Sequence, residues 1–327
     1  MRVLDIFCGA GGFSKGMTDA GFDVVAGIDI WDVAINTYRL NQKHDAICAD
    51  IATIDTAQLN FGDIDVLVGG APCQAFSVAG KRDANDPRAS LFMEYVRFLN
   101  HFKPKAFLFE NVVGILTTKM KNGDKAIDVI MSYLSRDYNC TICKLYARDF
   151  EVPQLRRRVI VIGIHKKYGV VPTEPMAVSR VPIPVSSVLE PRDAVPQSCF
   201  LSTKALAGIL NKKTRMRAEG KGFGAQFLEL DKPCYTIPAR YWKDGYDALV
   251  RYSDTEVRRL TVLELKRIQT FPDDYTFVGS RKDQIMQIGN AVACRFAYHV
   301  GKHLRGLLEG LDDRTTSVQP SNTLTMM

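Results

Sequence analysis

Short apolar runs alternate with amphipathic stretches over the first half of the chain. The apolar runs are RVLDIF, DVVAGID, IDVLVGG, KAFLFEN and RVIVIGI, and stretches between them, such as LFMEYVRFLNHF and the segment from Asp32 to Asn41, have helical periodicity. Strands that alternate with helices are typical of a parallel sheet covered by helices on both faces. The pattern therefore predicts an α/β, doubly wound, Rossmann-like fold.

The alternation stops at about residue 166. Residues 166–197 contain six prolines, a density that neither a helix nor a central strand tolerates. Residues 198–252 are rich in Gly, Lys and aromatic residues and lack βα alternation, which predicts a smaller domain of irregular β structure. Helical periodicity returns in LTVLELKRIQTF and after GNAV, whereas the final DDRTTSVQPSNTLTMM is polar and unpatterned.

These changes of pattern divide the chain into three parts. Residues 1–180 are predicted to form the first domain, a candidate for catalysis and cofactor binding, which residues 283–311 would complete by packing back onto it. Residues 181–282 form the smaller domain and its hinge. Residues 312–327 are predicted to be a disordered tail.

Charge distribution and cysteine content add two expectations, one about a binding partner and one about the cellular compartment. The net charge is +7, and residues 165–260 hold 16 Lys or Arg against 10 Asp or Glu, whereas residues 1–164 hold 19 of each. The excess is either a solvated basic face or a phosphate-contacting face on a neutral body. Eight dispersed cysteines favour reduced thiols, and no apolar run approaches the ~20 residues that span a bilayer. We expect a cytoplasmic protein without a membrane partner.

A glycine turn follows the first predicted strand. In DIFCGAGG the glycines stand between a strand and a helix, where a nucleotide-like ligand meets bare backbone. Asp29 closes the second strand, where it could bind ribose hydroxyls, and Asp50 closes HDAICAD, where it could accept from an adenine amino group. Ser14 replaces the third glycine of the dinucleotide pattern GxGxxG, which disfavours NAD. The turn and the two acids together favour an adenosine-containing cofactor.

Three further segments carry candidate chemistry. Cys73 follows a rigid Ala-Pro pair at a strand end, with a polar, loop-like segment beyond it. Glu110 ends the apolar run KAFLFE, as either an unusual core acid or a catalytic proton donor. The segment QLRRRV places Gln154, Arg156 and Arg158 at alternate positions, so that they share one face of a strand and need a polar partner.

The order and spacing of these segments resemble those of the DNA (cytosine-5)-methyltransferases of the bacterial and phage modification type. The matching segments are FCGAGG, APCQAFS, ENV, QLRRR, RRLTVLELKRIQTFPDDY and IGNAV, and only the middle of the chain and the tail match poorly. The resemblance implies an S-adenosylmethionine-dependent methyltransferase sheet, with residues 181–282 as a target-recognition domain. It further implies methyl transfer to C5 of a cytosine in a specific double-stranded DNA sequence, with base flipping.

The resemblance implies a role for each catalytic position. Cys73 would add to C6 of the target cytosine, and Glu110 would bind and protonate N3. Arg156 and Arg158 would hold the base, and Asn111 would support Glu110.

A cofactor pocket is implied in the same way, for S-adenosylmethionine and its product S-adenosylhomocysteine. Phe7 would contact the adenine, the backbone from Ala10 to Gly12 the methionine part, Asp29 the ribose and Asp50 the adenine amino group. The full expected set is Phe7, Ala10, Gly11, Gly12, Asp29, Asp50, Leu91, Asn290 and Ala291.

For DNA, the resemblance implies that the loop from Gln74 to about residue 90 closes over the flipped base. Thr236 and Ile237 look like the Thr-plus-aliphatic pair of the family's recognition domains, and the basic cluster before them is either phosphate-binding or a solvated face. The predicted DNA-binding residues are Gln74, Ser77, Lys81, Arg82, Lys212, Lys213, Arg215, Arg217, Thr236 and Arg240.

We expect no metal site, because the Cys140–Cys143 pair has no second pair and His299 and His303 lack an intervening glutamate. Duplex DNA is the expected partner, a cognate restriction endonuclease would act separately, and the chain is expected to be a monomer. Alternatives that stay open are an RNA (tRNA) cytosine-5 methyltransferase of the same family and a non-catalytic DNA-binding paralogue; a nicotinamide-dependent dehydrogenase is weaker still.

Overall fold

The structure, a computed structural model, describes residues 1–71, 87–120, 123–220 and 224–317. Within these ranges, the side chains of residues 87–90, 244 and 312–317 are not described.

A seven-stranded sheet forms the centre of the molecule. Its order is β3-β2-β1-β4-β5-β7-β6; β1 to β5 are parallel, and β7 is antiparallel to both of its neighbours. The strands are β1 (Arg2–Ile6), β2 (Asp23–Asp29), β3 (Asp45–Cys48), β4 (Val66–Gly69), β5 (Ala106–Val112), β6 (Tyr138–Tyr146) and β7 (Arg157–His165).

The predicted doubly wound α/β fold is confirmed, but the sheet is mixed instead of wholly parallel. Only a short connection joins β6 to β7, whereas a parallel crossover needs about a dozen residues or more. The chain therefore reverses after Tyr146 and pairs antiparallel. The sequence did not reveal β6, because its central residues are partly exposed at the sheet edge and interrupt the apolar run.

The helices in the described part of the chain either cover the two faces of this sheet or pack with the middle segment. They are α1 (Gly12–Asp19), α2 (Asp32–Asn41), α3 (Pro87–Phe102), α4 (Ala126–Leu134), α5 (Thr203–Ala218), α6 (Tyr241–Asp244), α7 (Val262–Ile268), α8 (Arg281–Asn290) and α9 (Cys294–Ser317). Helices α1 and α9 share one core with residues such as Val3 and Val68, and α3 and α4 share the core on the other face with residues such as Leu4 and Leu67. In the described part of the chain, no helix has the length and apolarity needed to cross a membrane.

Helix α9 returns from the end of the chain and packs on α1. Phe296, Val300 and Leu304 belong to the same core as Phe13 and Met17 of α1. The helix continues to Ser317, six residues into the predicted tail, because extending an existing helix costs much less than starting one. Residues 318–327 lie outside the described residues.

The middle segment contains a helix where the sequence predicted irregular β structure. Two three-residue strands, β8 (Leu249–Arg251) and β9 (Val257–Arg259), form a separate antiparallel pair. Helix α5 begins after Ser202, whose hydroxyl accepts from the Ala205 N–H, and it consists mainly of strong helix formers. Gly208 and the density of basic residues obscured that periodicity in the sequence.

A buried ion pair holds the middle segment to α7. The Arg258 guanidinium donates to both carboxylate oxygens of Glu264, at 2.7 and 2.8 Å, and both side chains are fully buried. Glu264 also accepts from the backbone N–H groups of Glu190 and Thr261. Every oxygen of this buried carboxylate is thus hydrogen-bonded, as such a charge requires.

The crossing of α1 and α9 gives a test of this packing. A Cβ at Gly16 would lie 2.4 Å from the Ala297 Cβ and 2.6 Å from the Cys294 carbonyl oxygen. We expect Gly16→Ala to lower the free energy of unfolding by about 1–3 kcal/mol, because the two helices must separate. Thermal or urea unfolding measures this change.

Gly208→Ala is the matched control, since a Cβ at Gly208 meets nothing within 4 Å and the residue lies inside α5. It should leave stability unchanged or raise it by about 0.5–1 kcal/mol. Equal losses in the two variants would contradict the packing described here.

Candidate active site

A cavity of about 730 Å³ lies at the carboxyl ends of the parallel strands. It is bordered by the glycine turn after β1, by Asp29 at the end of β2, by Gly70 after β4 and by Glu110 in β5. Parallel strands collect their carboxyl ends at one edge of a sheet, which is where ligands bind in open α/β folds. The volume lies within the ~300–1,000 Å³ that is usual for small-molecule sites.

The glycine turn presents only part of itself to the cavity. Phe7, held at a φ of 60°, and Ala10 line the cavity, whereas Gly11 and Gly12 do not. A Cβ at Gly11 would lie 2.8 Å from the Tyr38 ring, and a Cβ at Gly12 would lie 2.3 Å from the Val292 carbonyl oxygen. These two glycines, predicted to bind cofactor, are therefore needed first for the close packing of the turn.

The two strand-end carboxylates line the cavity in different ways. Asp29 accepts from the backbone N–H groups of Gly9 and Trp31, at 2.8 and 2.9 Å, and burial raises the pKa of its carboxyl group. Asp50 is exposed and accepts from the Ala52 N–H at 3.0 Å, at the start of a short 3-10 helix. Asp29 is thus fixed by backbone, while Asp50 keeps an oxygen towards solvent.

A buried chain of polar groups reaches the cavity at Asp5. The Ser14 hydroxyl donates to Asp5 at 2.6 Å and contacts the Tyr38 hydroxyl at 2.8 Å, which in turn contacts the His44 ring at 2.7 Å. Burial raises the pKa of Asp5 to about 7. The sequence placed Asp5 inside an apolar run, so only Ser14, the residue that breaks the glycine pattern, signalled a polar partner.

Glu110 and Arg158 form an ion pair in the wall of the cavity. The Arg158 Nε lies 2.6 Å from the Glu110 Oε1, and about one eighth of each side chain is exposed. The other carboxylate oxygen packs beside Gly70, where a Cβ would lie 2.8 Å from it. Residues from two neighbouring strands thus bring an acid and a guanidinium to one place.

Asn111 does not support Glu110 as expected. Its Nδ2 donates to the Ala71 carbonyl oxygen at 3.2 Å, and its Oδ1 accepts from the Val112 N–H at 2.8 Å. Neighbouring residues of a strand point to opposite faces, so Asn111 turns away from Glu110. It instead anchors residue 71, the last described residue before Pro72 and Cys73.

Arg156 is fully engaged with backbone at its outer nitrogens. Its Nη1 donates to Ile237 O at 3.3 Å, and its Nη2 donates to Gly289 O and Ala291 O, each at 3.1 Å. Its Nε has no hydrogen-bond partner among the described residues, and the side chain lines the cavity. Backbone carbonyls thus occupy the outer nitrogens of Arg156, and the expected contact of Arg156 with the base stays a prediction.

The cavity brings together most of the predicted site. The predicted residues that line it are Phe7, Ala10, Asp29, Asp50, Leu91, Glu110, Asn111, Arg156, Arg158, Asn290 and Ala291. The sequence analysis missed Asp5, Trp31, Ile51 and Gln287, which also line it. Trp31 and Ile51 follow the strand-end acids closely, and that spacing was the available signal.

Five predicted residues lie outside the described residues. They are Cys73, Gln74, Ser77, Lys81 and Arg82.

The remaining predicted DNA-binding residues do not line the cavity. On α5, Lys212 donates to the Tyr246 hydroxyl at 2.6 Å, Lys213 lies over the Phe227 ring, and Arg215 and Arg217 are exposed. Aromatic partners thus order the two lysines. Separately, Thr236 donates to the Leu155 carbonyl oxygen at 3.3 Å, and Arg240 lies 3.5 Å from Asp247.

The cysteine pair and the histidine pair that the sequence analysis rejected as metal ligands have separate surroundings in the fold. Cys140 packs against the core on one face of the sheet, and Cys143 belongs to the core on the other face. The His299 ring contacts Glu151 at 2.8 Å, and the His303 ring contacts the Thr173 carbonyl oxygen at 2.8 Å. Neither pair points to a common centre.

The architecture matches solved structures over nearly the whole chain. A DNA modification methyltransferase assigned to an Escherichia coli prophage superposes with a TM-score of 0.71 at 23% identity, covering 94% of this chain and 99% of that one. The Dnmt2 methyltransferase of Schizosaccharomyces pombe superposes with a TM-score of 0.73 at 22% identity, with the same coverage. The fold is the one that these two methyltransferase structures share.

Sequence comparison then gives the family. Residues 1–306 match the profile of the C-5 cytosine-specific DNA methylases. The Type II methyltransferase M.NlaX of Neisseria lactamica is 33% identical over 321 residues, covering 96% of this chain and 99% of its own length. M1.ScrFI of Lactococcus lactis subsp. cremoris is 32% identical, covering 94% and 79%. The chain belongs to the C-5 cytosine-specific DNA methylase family and is a DNA (cytosine-5)-methyltransferase.

Burial of Asp5 predicts a pH-dependent stability. Because its pKa is about 7 in the folded chain against an ordinary value of 3.8, the folded chain holds this proton more tightly. Its contribution to the free energy of unfolding is therefore greatest below about pH 4 and decreases as the pH rises to about 7. Asp5→Asn removes this ionisation and keeps an acceptor for Ser14.

The measured quantity is the melting temperature of Asp5→Asn minus that of the wild type. We expect this difference to be about 2 °C or more larger at about pH 8 than at about pH 5. The exposed Asp23→Asn is the control and should show no such change between the two pH values. If the difference in melting temperature between Asp5→Asn and the wild type did not change with pH, the raised pKa of Asp5 would be refuted.

Proposed function

We propose that this enzyme transfers a methyl group from S-adenosylmethionine to C5 of cytosine in a specific duplex DNA sequence, through a flipped base and a covalent Cys73 adduct. It would act in the cytoplasm of a bacterium or of a phage-infected cell. One observation carries the proposal. A single cavity joins the strand-end carboxylates Asp29 and Asp50 to the Glu110–Arg158 pair, so that a cofactor and a base would lie side by side.

The residues of the cavity fit an adenosine cofactor. Asp29 and Asp50 offer acceptors for ribose hydroxyls and an amino group, and Phe7 and Leu91 offer apolar surface. Gln287 also lines the cavity, and its buried Oε1 has no hydrogen-bond partner among the described residues. Buried polar atoms need partners, so a bound ligand would satisfy this oxygen. S-adenosylmethionine, when bound, supplies an electrophilic methyl group.

The acid and the guanidinium account for activation of the base. Glu110, once protonated from solvent, would hydrogen-bond N3 of the cytosine and give it that proton while the Cys73 thiolate adds to C6, leaving an electron-rich C5. After C5 had taken the methyl group, its proton would pass to solvent, the thiolate would leave as the C5–C6 double bond re-formed, and the N3 proton would return to Glu110. Arg158 would hold the Glu110 carboxyl in place and bind the base, which stabilises charge that develops only in the transition state.

Residues 181–282 would form the target-recognition domain. The exposed Arg215 and Arg217 of α5 suit phosphate contacts, which fix position without reading sequence. Thr236 donates to the Leu155 carbonyl oxygen, and the carbonyl oxygen of the next residue, Ile237, accepts from Arg156, which lines the cavity. We propose that a monomer binds duplex DNA, with any cognate restriction endonuclease as a separate protein.

The mechanism is tested by trapping the adduct. The protein is incubated with tritiated S-adenosylmethionine and mixed-sequence duplex DNA that contains 5-fluorocytosine, and a denaturing gel is then run. We expect a labelled protein–DNA band, because fluorine at C5 cannot leave as a proton does. Cys73→Ser should abolish the band, and Cys140→Ser, whose thiol pKa burial raises to about 11, should retain it.

Failure of Cys73→Ser to remove the adduct would overturn the proposed nucleophile. Bisulfite sequencing of ordinary DNA after the reaction would give the target site. Transfer to folded tRNA but not to duplex DNA would favour the RNA alternative, and no transfer to either would favour a non-catalytic paralogue.

A second variant tests the proposed role of Glu110 as a proton donor. Glu110→Gln keeps the shape but removes the proton donor, and we expect the rate of methyl transfer to fall by about 10²–10⁴-fold. Glu94→Gln is the matched control, because Glu94 also pairs with an arginine, Arg97 at 2.7 Å, but lies outside the cavity. A rate for Glu110→Gln within a few-fold of the control would exclude the proposed role.

A further inference from the structure

Two fully buried glutamines connect the segment proposed to face DNA with the wall of the cavity. Gln154 precedes β7, and Gln269 follows α7. The Gln154 Oε1 accepts from the Ile237 N–H at 3.0 Å, and its Nε2 donates to the Gln269 Oε1 at 3.0 Å. The Gln269 Nε2 then donates to Ile288 O at 2.8 Å and to Ala291 O at 3.2 Å.

The direction of this chain of hydrogen bonds is fixed at both ends. A backbone N–H can only donate, and a backbone carbonyl oxygen can only accept, so neither amide can be rotated end for end. Each glutamine must present one oxygen to one neighbour and one N–H to the next. A carboxylate at either position would place an acceptor opposite another acceptor, although glutamate has the same shape.

This chain of hydrogen bonds joins segments that are distant in the sequence. At one end, the backbone bonds Leu155 N to Cys234 O and Cys234 N to Pro153 O, at 2.7 and 2.9 Å, hold residues 234–237 against the entry to β7. At the other end, Ala291 lines the cavity, with Gly289 and Asn290 beside it. Arg156 bridges the same two ends through Ile237 O and Ala291 O.

We infer that Gln154 and Gln269 are positioning residues, which fix the Thr236–Ile237 segment relative to the cofactor wall so that DNA bound to the segment meets the reacting groups. Neither glutamine lines the cavity, so they act through the backbone that they hold. The inference rests on the proposed function, because it takes duplex DNA and S-adenosylmethionine as the two ligands.

The test uses Gln154→Glu and Gln269→Glu in the full-length protein. At about pH 9 each variant carries a mispaired carboxylate, and we expect kcat/KM for DNA to fall about tenfold or more. At about pH 6 the buried carboxyl takes up a proton and becomes a donor again. The kcat/KM of Gln154→Glu, in which only the one hydrogen bond to Gln269 has to be restored, should then return to within about threefold of the wild type at the same pH. That of Gln269→Glu should recover only in part, because one O–H replaces the two N–H groups that donate to Ile288 O and Ala291 O. Tritium transfer to unmethylated bacteriophage DNA measures both values.

Gln284→Glu is the matched control. Gln284 lies on α8, and its Nε2 also donates to a backbone carbonyl, Gly279 O at 3.2 Å, but it lies outside the cavity and the glutamine chain. It should follow the wild type at both pH values.

The two variants should also differ in which ligand they affect. Gln154 holds the Ile237 side, so Gln154→Glu should raise the KM for DNA and leave the Kd for S-adenosylhomocysteine, measured by calorimetry without DNA, within about twofold. Gln269 holds the carbonyls of the cavity wall, so Gln269→Glu should weaken both. A role limited to stability would lower the melting temperature without this split.

Three results would overturn the inference: wild-type kinetics of both variants at about pH 9, a loss that is the same at both pH values, or a loss in Gln154→Glu confined to S-adenosylhomocysteine binding. If one variant does not fold at about pH 9, the inference is tested by the kcat/KM of that variant at about pH 6 and by the other variant at both pH values. If the wild type transfers no tritium to DNA, the proposed function fails. If it does and the variants match it, only the positioning role fails.

Discussion

The buried guanidinium of Arg156 is the point on which the site depends. It donates to carbonyl groups from residues 237, 289 and 291, which come from separate parts of the chain. Burial and the neighbouring Arg158 lower its pKa, yet a guanidinium keeps its charge in proteins. Carbonyl groups must therefore converge on it, and this convergence brings residues 289 and 291 into the lining of the cavity.

The cavity therefore has two walls of different origin. One wall consists of strand ends and the glycine turn, all from the first part of the chain, and it carries Asp29 and Asp50. The other consists of the turn between α8 and α9, which returns only because the apolar side of α9 packs on α1. The close approach at Gly16 and the polar contacts around Arg156 thus support one site from two sides.

Buried polar groups act together with a shared apolar core to determine how the middle segment sits on this body. Arg258 with Glu264, and Gln154 with Gln269, are buried pairs whose hydrogen bonds are satisfied by groups far away in the sequence. Apolar packing tolerates small shifts, whereas a mispaired buried donor or acceptor costs free energy at once. Such pairs fix the position of the middle segment relative to the cavity.

The sequence by itself determined the elements whose signal is local. The alternation of apolar and polar positions located β1, β2, α2 and β5, and the strand-end residues Asp29, Asp50 and Glu110 meet at one cavity because parallel strands share an edge. The order of the motifs also identified the family. Only the tertiary structure decided that β7 runs antiparallel, that Asn111 holds Ala71 and that Arg156 binds backbone carbonyls. These facts depend on hydrogen-bond partners that are far away in the sequence, and no local pattern encodes a partner's position.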